Sequence, residues 1–422
     1  MNRIAGFIGK LLFILILLGA LFSYAMFQGG FVSWFLFFSY LPIFIYHLGL
    51  LFYPINRWQV TRMVSRHIVH AGDSITVTVK LKRAFPYPLY YCVCEEIFPS
   101  SLNQFDTRLE KYHDLEHPEK VQFNRMMKQV VFPGFKRLVT LTYQIDGVPR
   151  GEHHLQTLRV KTGDLFGFVQ KTHLFHAPDQ LVAYPNLRPI ILKERVDSFH
   201  QGSVSSNALN IKSTNVATGI REYLPGDKFS WIDWKQTAKK HTMMTKEFEQ
   251  EKSTDAVVIL DSCYDDNINL LAYEAALELS LSIMEALRKQ STKTSFLSIA
   301  EQLAQFAIDQ NPYEMERLLQ YLTRIQPNGT TPFALEIRKA AATIPNGSLV
   351  MLVTTRLDDK RKDAVKQLRK RSKQVIVHLV PPASDMIDYQ QHVIKELRFH
   401  GIIVNVLTKK QLIQHTIEVS LG

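Results

Sequence analysis

Between Lys10 and Arg57 the chain carries no Asp, Glu, Lys or Arg, and that gap constrains the fold more than any other feature. The stretch divides at Gln28-Gly29-Gly30 into two apolar runs, Leu11 to Phe27 and Phe31 to Tyr53. At about 1.5 Å per helical residue the second run spans about 34 Å and the first, with its flanks, nearly as much, against a hydrocarbon core of about 30 Å. A membrane helical hairpin over residues 1–57 follows. A signal peptide would have a shorter apolar region, a small-residue cleavage site and no second apolar run directly after it. Arg3 and Lys10 precede the hairpin, and Arg57, Arg62 and Arg66 follow it. The positive-inside bias therefore predicts a cell-membrane protein whose soluble part is cytoplasmic, with only the Gln28-Gly29-Gly30 tip outside. Tyr46, Tyr53 and Trp58 suit the aromatic belt at the inner face. The formal net charge of +11 over 422 residues then has a use against anionic membrane lipid. No nucleic-acid partner is expected, because Lys and Arg are scattered. Their densest cluster, Arg361 to Lys373, reads as a solvated or membrane-facing helix surface.

Residues 58–190 read as short strands. Ser74 to Lys80 and Leu138 to Gln144 alternate apolar with polar residues, and Leu89 to Cys94 is rich in aromatic ones. Turn chemistry separates them at Ala71-Gly72-Asp73, Pro86-Tyr87-Pro88, Pro133-Gly134, Asp146-Gly147 and Thr162-Gly163-Asp164. Strands at this spacing, with almost no helical period, predict a small antiparallel β-sandwich-like domain. The polar stretch Leu109 to Lys128 is expected to be an insertion or long loop. Cys92 and Cys94 read as two thiols on one face of a strand, and three cysteines in all suit a reducing compartment. Asp197 to Thr218, rich in Ser and Asn, reads as a linker within a segment over 191–254.

Over 255–422 the pattern changes. Apolar runs at Ala256 to Leu260, Thr294 to Ile299, Leu349 to Val353, Gln374 to Val380 and Ile402 to Leu407 alternate with helical ones. Those lie at Leu270 to Arg288, Pro312 to Arg324, Pro332 to Thr343, Asp359 to Arg371, Asp388 to Arg398 and Lys409 to Ser420. Repeated β-then-α alternation implies an α/β domain with a mostly parallel sheet covered on both faces. The first run ends in Asp261, the position from which a buried parallel strand delivers a carboxylate to the ligand-facing edge.

Gly219 to Lys252 joins the two halves. Trp231 and Trp234 sit there among acids and bases, a polar seam with aromatic anchors. Its charged residues read either as an ion-paired architectural seam, in which Asp233 is a partly buried ion-pair member, or as a partner surface beyond a Pro225-Gly226-Asp227 turn. Walker A, dinucleotide-fingerprint, HExxH and GxSxG signatures are missing. His153 and His154, adjacent in a strand, point to opposite faces and do not share a metal.

Arg221-Glu222-Tyr223-x-Pro225-Gly226-Asp227, then Ile232-Asp233-Trp234-Lys235, Thr237-Ala238-Lys239 and Lys246-Glu247-Phe248-Glu249, resemble the signature of the bacterial domain-of-unknown-function family 58. Upstream, Arg150-Gly151-Glu152-His153 and Gly163-Asp164-Leu165-Phe166-Gly167 resemble that family's Arg-Gly turn and Asp-Pro-Phe-Gly turn, with Leu165 for Pro. The resemblance implies a membrane-anchored protein whose C-terminal half is similar to a von Willebrand factor type A domain. It also implies work beside a MoxR-type AAA+ ATPase and a transglutaminase-like membrane protein. That fold carries a metal-ion-dependent adhesion site, Asp-x-Ser-x-Ser plus a Thr and a third-loop Asp. Here Asp261 matches, Cys263 and Asp265 stand for the two Ser, Thr330 or Thr331 for the Thr, and Thr355, beside Arg356, for the last acid. Mg²⁺ needs converging hard oxygens, and a thiol and a guanidinium both oppose it, so no cofactor is expected. The expected function is a membrane scaffold or adaptor for the ATPase in an envelope-related assembly. An alternative is a membrane-surface hydrolase using Asp233, Asp261 or Asp265.

Overall fold

The structure, a computed structural model, describes residues 2–193, 217–224, Asp227, 229–248, 255–264, 268–289, 293–308, 312–329 and 332–421. The chain forms two compact units, one of residues 1–108 and 120–184, the other of 109–119 and 185–422.

In the first unit, helices α1 (Asn2–Gln28) and α2 (Phe31–Phe52) fold back on each other at Gly29, whose φ of +59° suits a residue without Cβ. The interhelix seam is aromatic: Phe22 meets Phe37 at 5.7 Å and Trp34 at 6.3 Å between ring centroids. Ile8–Gln28 and Phe31–Phe52 are long and apolar enough to cross a membrane, and only 11% and 22% buried. A core helix of a water-soluble fold would hide such a surface.

The β-rich body of this unit holds β1 (Gln59–Val64), β2 (Ile68–His70), β3 (Ile75–Lys82), β4 (Tyr91–Ile97), β5 (Met127–Val131), β6 (Leu138–Ile145), β7 (Gly151–Gly163) and β8 (Gln170–Tyr184). They form an antiparallel sheet β1-β3-β6 and a second sheet β2-β8-β7-β4-β5, in which only β2 runs parallel to its neighbour β8. The period-two pattern decides the inner faces. Ile75, Val77, Val79 and Leu81 of β3 join Cys92 and Cys94 of β4 and Leu155 and Leu158 of β7 in one core. Between the sheets lies a polar triad that the sequence reading missed: Arg62 Nη2 donates to Glu96 Oε1 at 2.6 Å, and Tyr143 Oη to Glu96 Oε2 at 2.6 Å. Arg62 is thus buried inside the body, whereas Arg57 and Arg66 are exposed and Lys10 is half-buried, donating to the Gln170 carbonyl at 3.3 Å. Tyr53 and Trp58, expected in an interfacial belt, are also buried in this core and pack edge-on at 6.2 Å. His153 is buried and His154 exposed, as strand alternation requires.

The second unit contains β9 (Ile190–Lys193), β10 (Ala217–Glu222), α3 (Trp234–Lys240), β11 (Met244–Phe248), β12 (Ala256–Asp261), α4 (Leu270–Lys289), β13 (Thr294–Ile299), β14 (Leu303–Ile308) and α5 (Pro312–Arg324). It continues with α6 (Phe333–Ala340), β15 (Leu349–Thr354), α7 (Asp359–Arg371), β16 (Gln374–Leu379), α8 (Ser384–Phe399), β17 (Ile403–Val406), α9 (Lys409–Ile413) and β18 (Ile417–Ser420). A six-stranded sheet runs β14-β13-β12-β15-β16-β17, parallel throughout except for antiparallel β14 at one edge. β14 carries alternating exposed residues and follows β13 by a tight turn, so the β-then-α reading passed over it. The helical run expected from Lys409 to Ser420 stops at Ile413. Ile417 to Ser420 instead pairs in parallel with β9, burying Ile417 and Val419 by alternation. Leu109 to Glu119, expected as part of a loop, belongs to this unit. There Lys111 and Tyr112 are buried against Glu278 of α4, with Lys111 Nζ and Tyr112 Oη each 2.7 Å from its carboxylate.

Candidate functional site

All six positions of β12 are buried, as befits a central strand covered on both faces. The strand order reverses at β12, with β13 and β14 on one side and β15, β16 and β17 on the other. The carboxyl ends of β12 and β15 therefore mark the topological switch point, the position at which open α/β sheets place ligands. Asp261 ends β12 and Thr354 ends β15.

Among the described residues, Asp261 is held by three partners. Its Oδ1 accepts from Cys263 N at 3.2 Å; its Oδ2 accepts from Thr354 Oγ1 at 2.8 Å and from Arg361 Nε at 3.0 Å. Arg361 comes from the first turn of α7, whose N-cap Asp358 accepts from Arg361 N at 2.7 Å and, through its other oxygen, from Arg361 Nη1 at 2.7 Å. The guanidinium also lies over the Phe333 ring at 5.6 Å. Burial opposes its charge, but Asp261 and then Asp358 outweigh burial and hold the guanidinium above its ordinary range. Burial, followed by the Asp261 charge, pushes the Cys263 thiol up to about 12, so it stays protonated at neutral pH. Next to it Ser262 Oγ and Tyr273 Oη share a hydrogen bond of 2.9 Å. The loop at Gly329 crosses so close that a Cβ there would stand 2.6 Å from the Ala300 carbonyl carbon, which requires glycine.

Among the described residues, Asp261 is poorly placed to hold a divalent metal. Both oxygens of Asp261 are engaged, and Arg361 puts a cation where the metal would balance the carboxylate. Among the described residues no three of His, Cys, Asp and Glu come together to hold one. Asp265, Thr330 and Thr331 lie outside the described residues. The sequence reading assigned the opposing cation to Arg356 and the third-loop position to Thr355. In the structure Thr354 and Arg361 meet Asp261. Arg361 was read as part of a solvated helix face because it opens a run of Lys and Arg. The signal that could have found it is Asp358, an N-cap acid three residues earlier, which fixes where the Arg361 turn begins. Farther along α7, Lys362 and Lys366 pair with Glu396 of α8 at 2.8 and 2.5 Å.

The segment around Arg221 forms its own small module. β10 and β11 pair antiparallel, Arg221 opposite Thr245 and Glu222 opposite Met244. Arg221 grips Asp227 with two nitrogens at 2.8 and 2.7 Å, and Asp227 also accepts from Leu224 N at 3.0 Å. Pro225 and Gly226, expected to form a turn with Asp227, lie outside the described residues. Arg221 holds the Asp227 carboxyl below its ordinary range, a hydrogen bond from Leu224 N adding to the effect. Tyr223 stacks on Phe229 at 6.3 Å. Glu222, Lys235 and Lys239 are exposed, and Trp234 is 66% exposed.

Asp233 does something other than the expected ion pairing. It is the N-cap of α3, accepting from Lys235 N and Gln236 N at 3.1 Å each. A cap lost costs about 1 kcal/mol, against about 3 for a stranded buried charge. Thermal melts of Asp233→Ala in the full-length protein should therefore show a loss of about 1 kcal/mol. A loss near 3 would mean the carboxylate holds a buried cation after all.

Residues 219–412 match the family described as protein of unknown function DUF58. The uncharacterized protein YeaD of Bacillus subtilis (strain 168) is 34% identical over 332 residues, 78% of this chain and 78% of its own. Among solved structures, the PilB minor pilin of Streptococcus sanguinis aligns over 77% of this chain and 85% of that one, at 8% identity and a TM-score of 0.29. The alkylpurine DNA glycosylase AlkC of Pseudomonas fluorescens aligns over 28% and 30%, at 12% identity and a TM-score of 0.17. Scores this low carry no argument about fold or function. The relative and the matched segment settle the family: this chain belongs to the DUF58 proteins of unknown function.

Proposed function

We propose that the protein is a scaffold anchored in the cell membrane by its hairpin, with its soluble units on the cytoplasmic face, and that it binds a MoxR-type AAA+ ATPase in an envelope-related assembly. A transglutaminase-like membrane protein is a further candidate partner. The observation that carries the binding role is the exposed apolar surface of the β10-α3-β11 module. Trp234 at 66%, Phe229 at 71% and Leu224 at 59% exposure project from a frame tied down by Asp233, Arg221 and Asp227. Large rigid side chains beside Lys235 and Lys239 are the usual anchors and rim of a protein interface. The strand order around β12 supports the similarity of the second unit to a von Willebrand factor type A domain, a fold of binding modules in this reading. Exposed Arg57 and Arg66 and half-buried Lys10, at the hairpin's outer ends, support the cytoplasmic orientation. The hydrolase alternative gains nothing: Asp233 is a helix cap, Asp261 is bound by a guanidinium, and Asp265 lies outside the described residues.

Crosslinking of the full-length protein in native membranes tests this. The wild type should capture the ATPase, while Trp234→Ala and Lys239→Ala should lower capture at least about tenfold, the effect of losing roughly 1.4 kcal/mol of binding. Both side chains are exposed, so their melting curves should shift little. Full capture by both variants would remove the module from the interface.

A further inference from the structure

The turn between β7 and β8 carries Asp164, Leu165, Phe166, Gly167 and Phe168. Asp164 is 2% exposed. Its Oδ1 accepts from Val169 N at 2.9 Å and its Oδ2 from Phe168 N at 3.3 Å, so the carboxylate folds the turn back on itself. Gly167, at φ +77°, completes the reversal in a conformation that a side chain would strain. The same Oδ2 lies 2.7 Å from His47 Nε2, and His47 Nδ1 reaches the Ile43 carbonyl at 2.7 Å. A buried polar pair thus fastens the turn to the side of α2.

The place of that fastening is informative. His47 lies five residues inside the end of the apolar span Phe31–Phe52, and Phe13 five residues inside the start of Ile8–Gln28. At about 1.5 Å per residue both are roughly 7 Å along the helices from those ends. The Phe168 ring packs on both, 5.8 Å from Phe13 and 5.7 Å from His47, and Phe166 stacks on His47 at 6.4 Å. The turn therefore stands beside the apolar part of the hairpin and not beyond its end. Yet Leu165 is 62%, Phe166 67% and Phe168 46% exposed, an apolar tip that the described residues leave largely open. Closer to the helix ends the surface changes character. The Phe85 carbonyl accepts from Tyr53 just after α2, and Phe85, Phe132 and Phe135 are exposed near Lys136 and Arg137. Aromatic residues next to basic ones mark the level of lipid headgroups.

We propose that the Leu165–Phe168 turn is a third membrane anchor: a wedge of the β-rich body seated among the acyl chains of the inner leaflet, with the Asp164 carboxylate paired internally to His47 and to the Phe168 and Val169 amides. Lipid is the occupant because the wedge is continuous with the lipid-facing sides of α1 and α2, and because a reversed turn at membrane depth is tolerated only when its polar groups are paired. The proposal rests on the reading of the hairpin as membrane-spanning, and the test separates the two.

Place a nitroxide at Phe166→Cys, and separately at Leu165→Cys, in the full-length protein in lipid nanodiscs. Cys92, Cys94 and Cys263 are buried, which favours labelling at the new site. Measure relaxation by oxygen, which concentrates in acyl chains, and by a water-soluble nickel chelate. Ile16→Cys, 61% exposed in α1, is the lipid reference and exposed Glu301→Cys the water reference. The expected result is oxygen accessibility at both turn sites within about twofold of the Ile16 reference, with nickel accessibility at least several-fold below the Glu301 reference. Nickel accessibility at the turn equal to the Glu301 reference, with Ile16 in lipid, overturns the wedge alone. Ile16 accessible to nickel overturns the membrane reading itself. Spin–spin broadening with low accessibility to both agents means that a second copy covers the turn, which also overturns the assignment to lipid.

Discussion

Arg361→Ala is expected to lower the stability of the second unit by about 3–5 kcal/mol, the loss typical when one partner of a buried ion pair is removed. Asp261 shows only 5% of its side chain to solvent and Arg361 12%. Without the guanidinium, Oδ2 of Asp261 keeps the Thr354 hydroxyl but loses its counter-charge at the end of a fully buried strand. Asp358 is affected less: a third of its side chain is exposed, and it retains the bond from the backbone N–H of residue 361 that caps α7. At about 2–4 °C per kcal/mol for a body of this size, the melting midpoint should fall by roughly 6–20 °C. The pair Asp261→Asn with Arg361→Met should recover more than half of the loss, because a buried ion pair replaced at both ends by neutral groups is often close to neutral in stability. A double variant as unstable as Arg361→Ala would show that the guanidinium acts through Asp358 or Phe333 instead.

Glu278→Ala should cost a similar amount, about 3–5 kcal/mol. Glu278 is 3% exposed on α4 and is the anion for two buried cations, Lys111 at 2.7 Å and Arg188 at 3.8 Å, while Tyr112 donates to it at 2.7 Å. Burial, then the charge of Glu278, holds the Tyr112 hydroxyl far above its ordinary range, so it remains a donor at any physiological pH. Both cations lie over the Tyr112 ring, each 5.1 Å from its centre. Removing the carboxylate takes away the anion that Lys111 and Arg188 share, while Arg188 keeps its bond to the Leu412 carbonyl. Glu278→Gln keeps the shape and one acceptor, so it should lose less than Glu278→Ala yet remain well below the wild type. Limited proteolysis offers a second readout. Residues 109–119 should become cleavable in Glu278→Ala at temperatures where the wild type resists. Equal resistance in the two proteins would mean that apolar packing at Leu115 suffices to hold the segment.

How much of this was legible in the sequence depends on the range of the interaction that decides each feature. The hairpin was legible because the absence of charge from Leu11 to Asn56 is a property of consecutive residues. Strands β12, β13, β15 and β16 were legible within a residue or two, because burial on both faces leaves unbroken apolar runs. β18 was misread as helix: Ile417 and Val419 alternate over too few residues to be distinguished from a helix face, and the partner β9 lies more than two hundred residues away in the chain. Arg62 and Arg361 look like surface charge from their neighbours in sequence. What buries them is Glu96 in one case and Asp261 in the other, and no local pattern announces a carboxylate that distant. At the candidate site Asp261 was found from strand-end logic and Cys263 from comparison with a metal-site pattern. The cation that closes the site was placed five residues too early, at Arg356 instead of Arg361.

Arg361 taking the place of a metal is the claim on which the reading of the strand-end site depends, and Mg²⁺ titration of the folded protein tests it most directly. A site with a Kd of about 0.1 mM would stabilise the wild type by about 2.7 kcal/mol at about 10 mM Mg²⁺. With Asp261 already neutralised, the melting midpoint of the full-length protein should stay flat across the titration. A saturable rise in the wild type that Asp261→Ala abolishes would contradict it and show a working metal site at the end of β12.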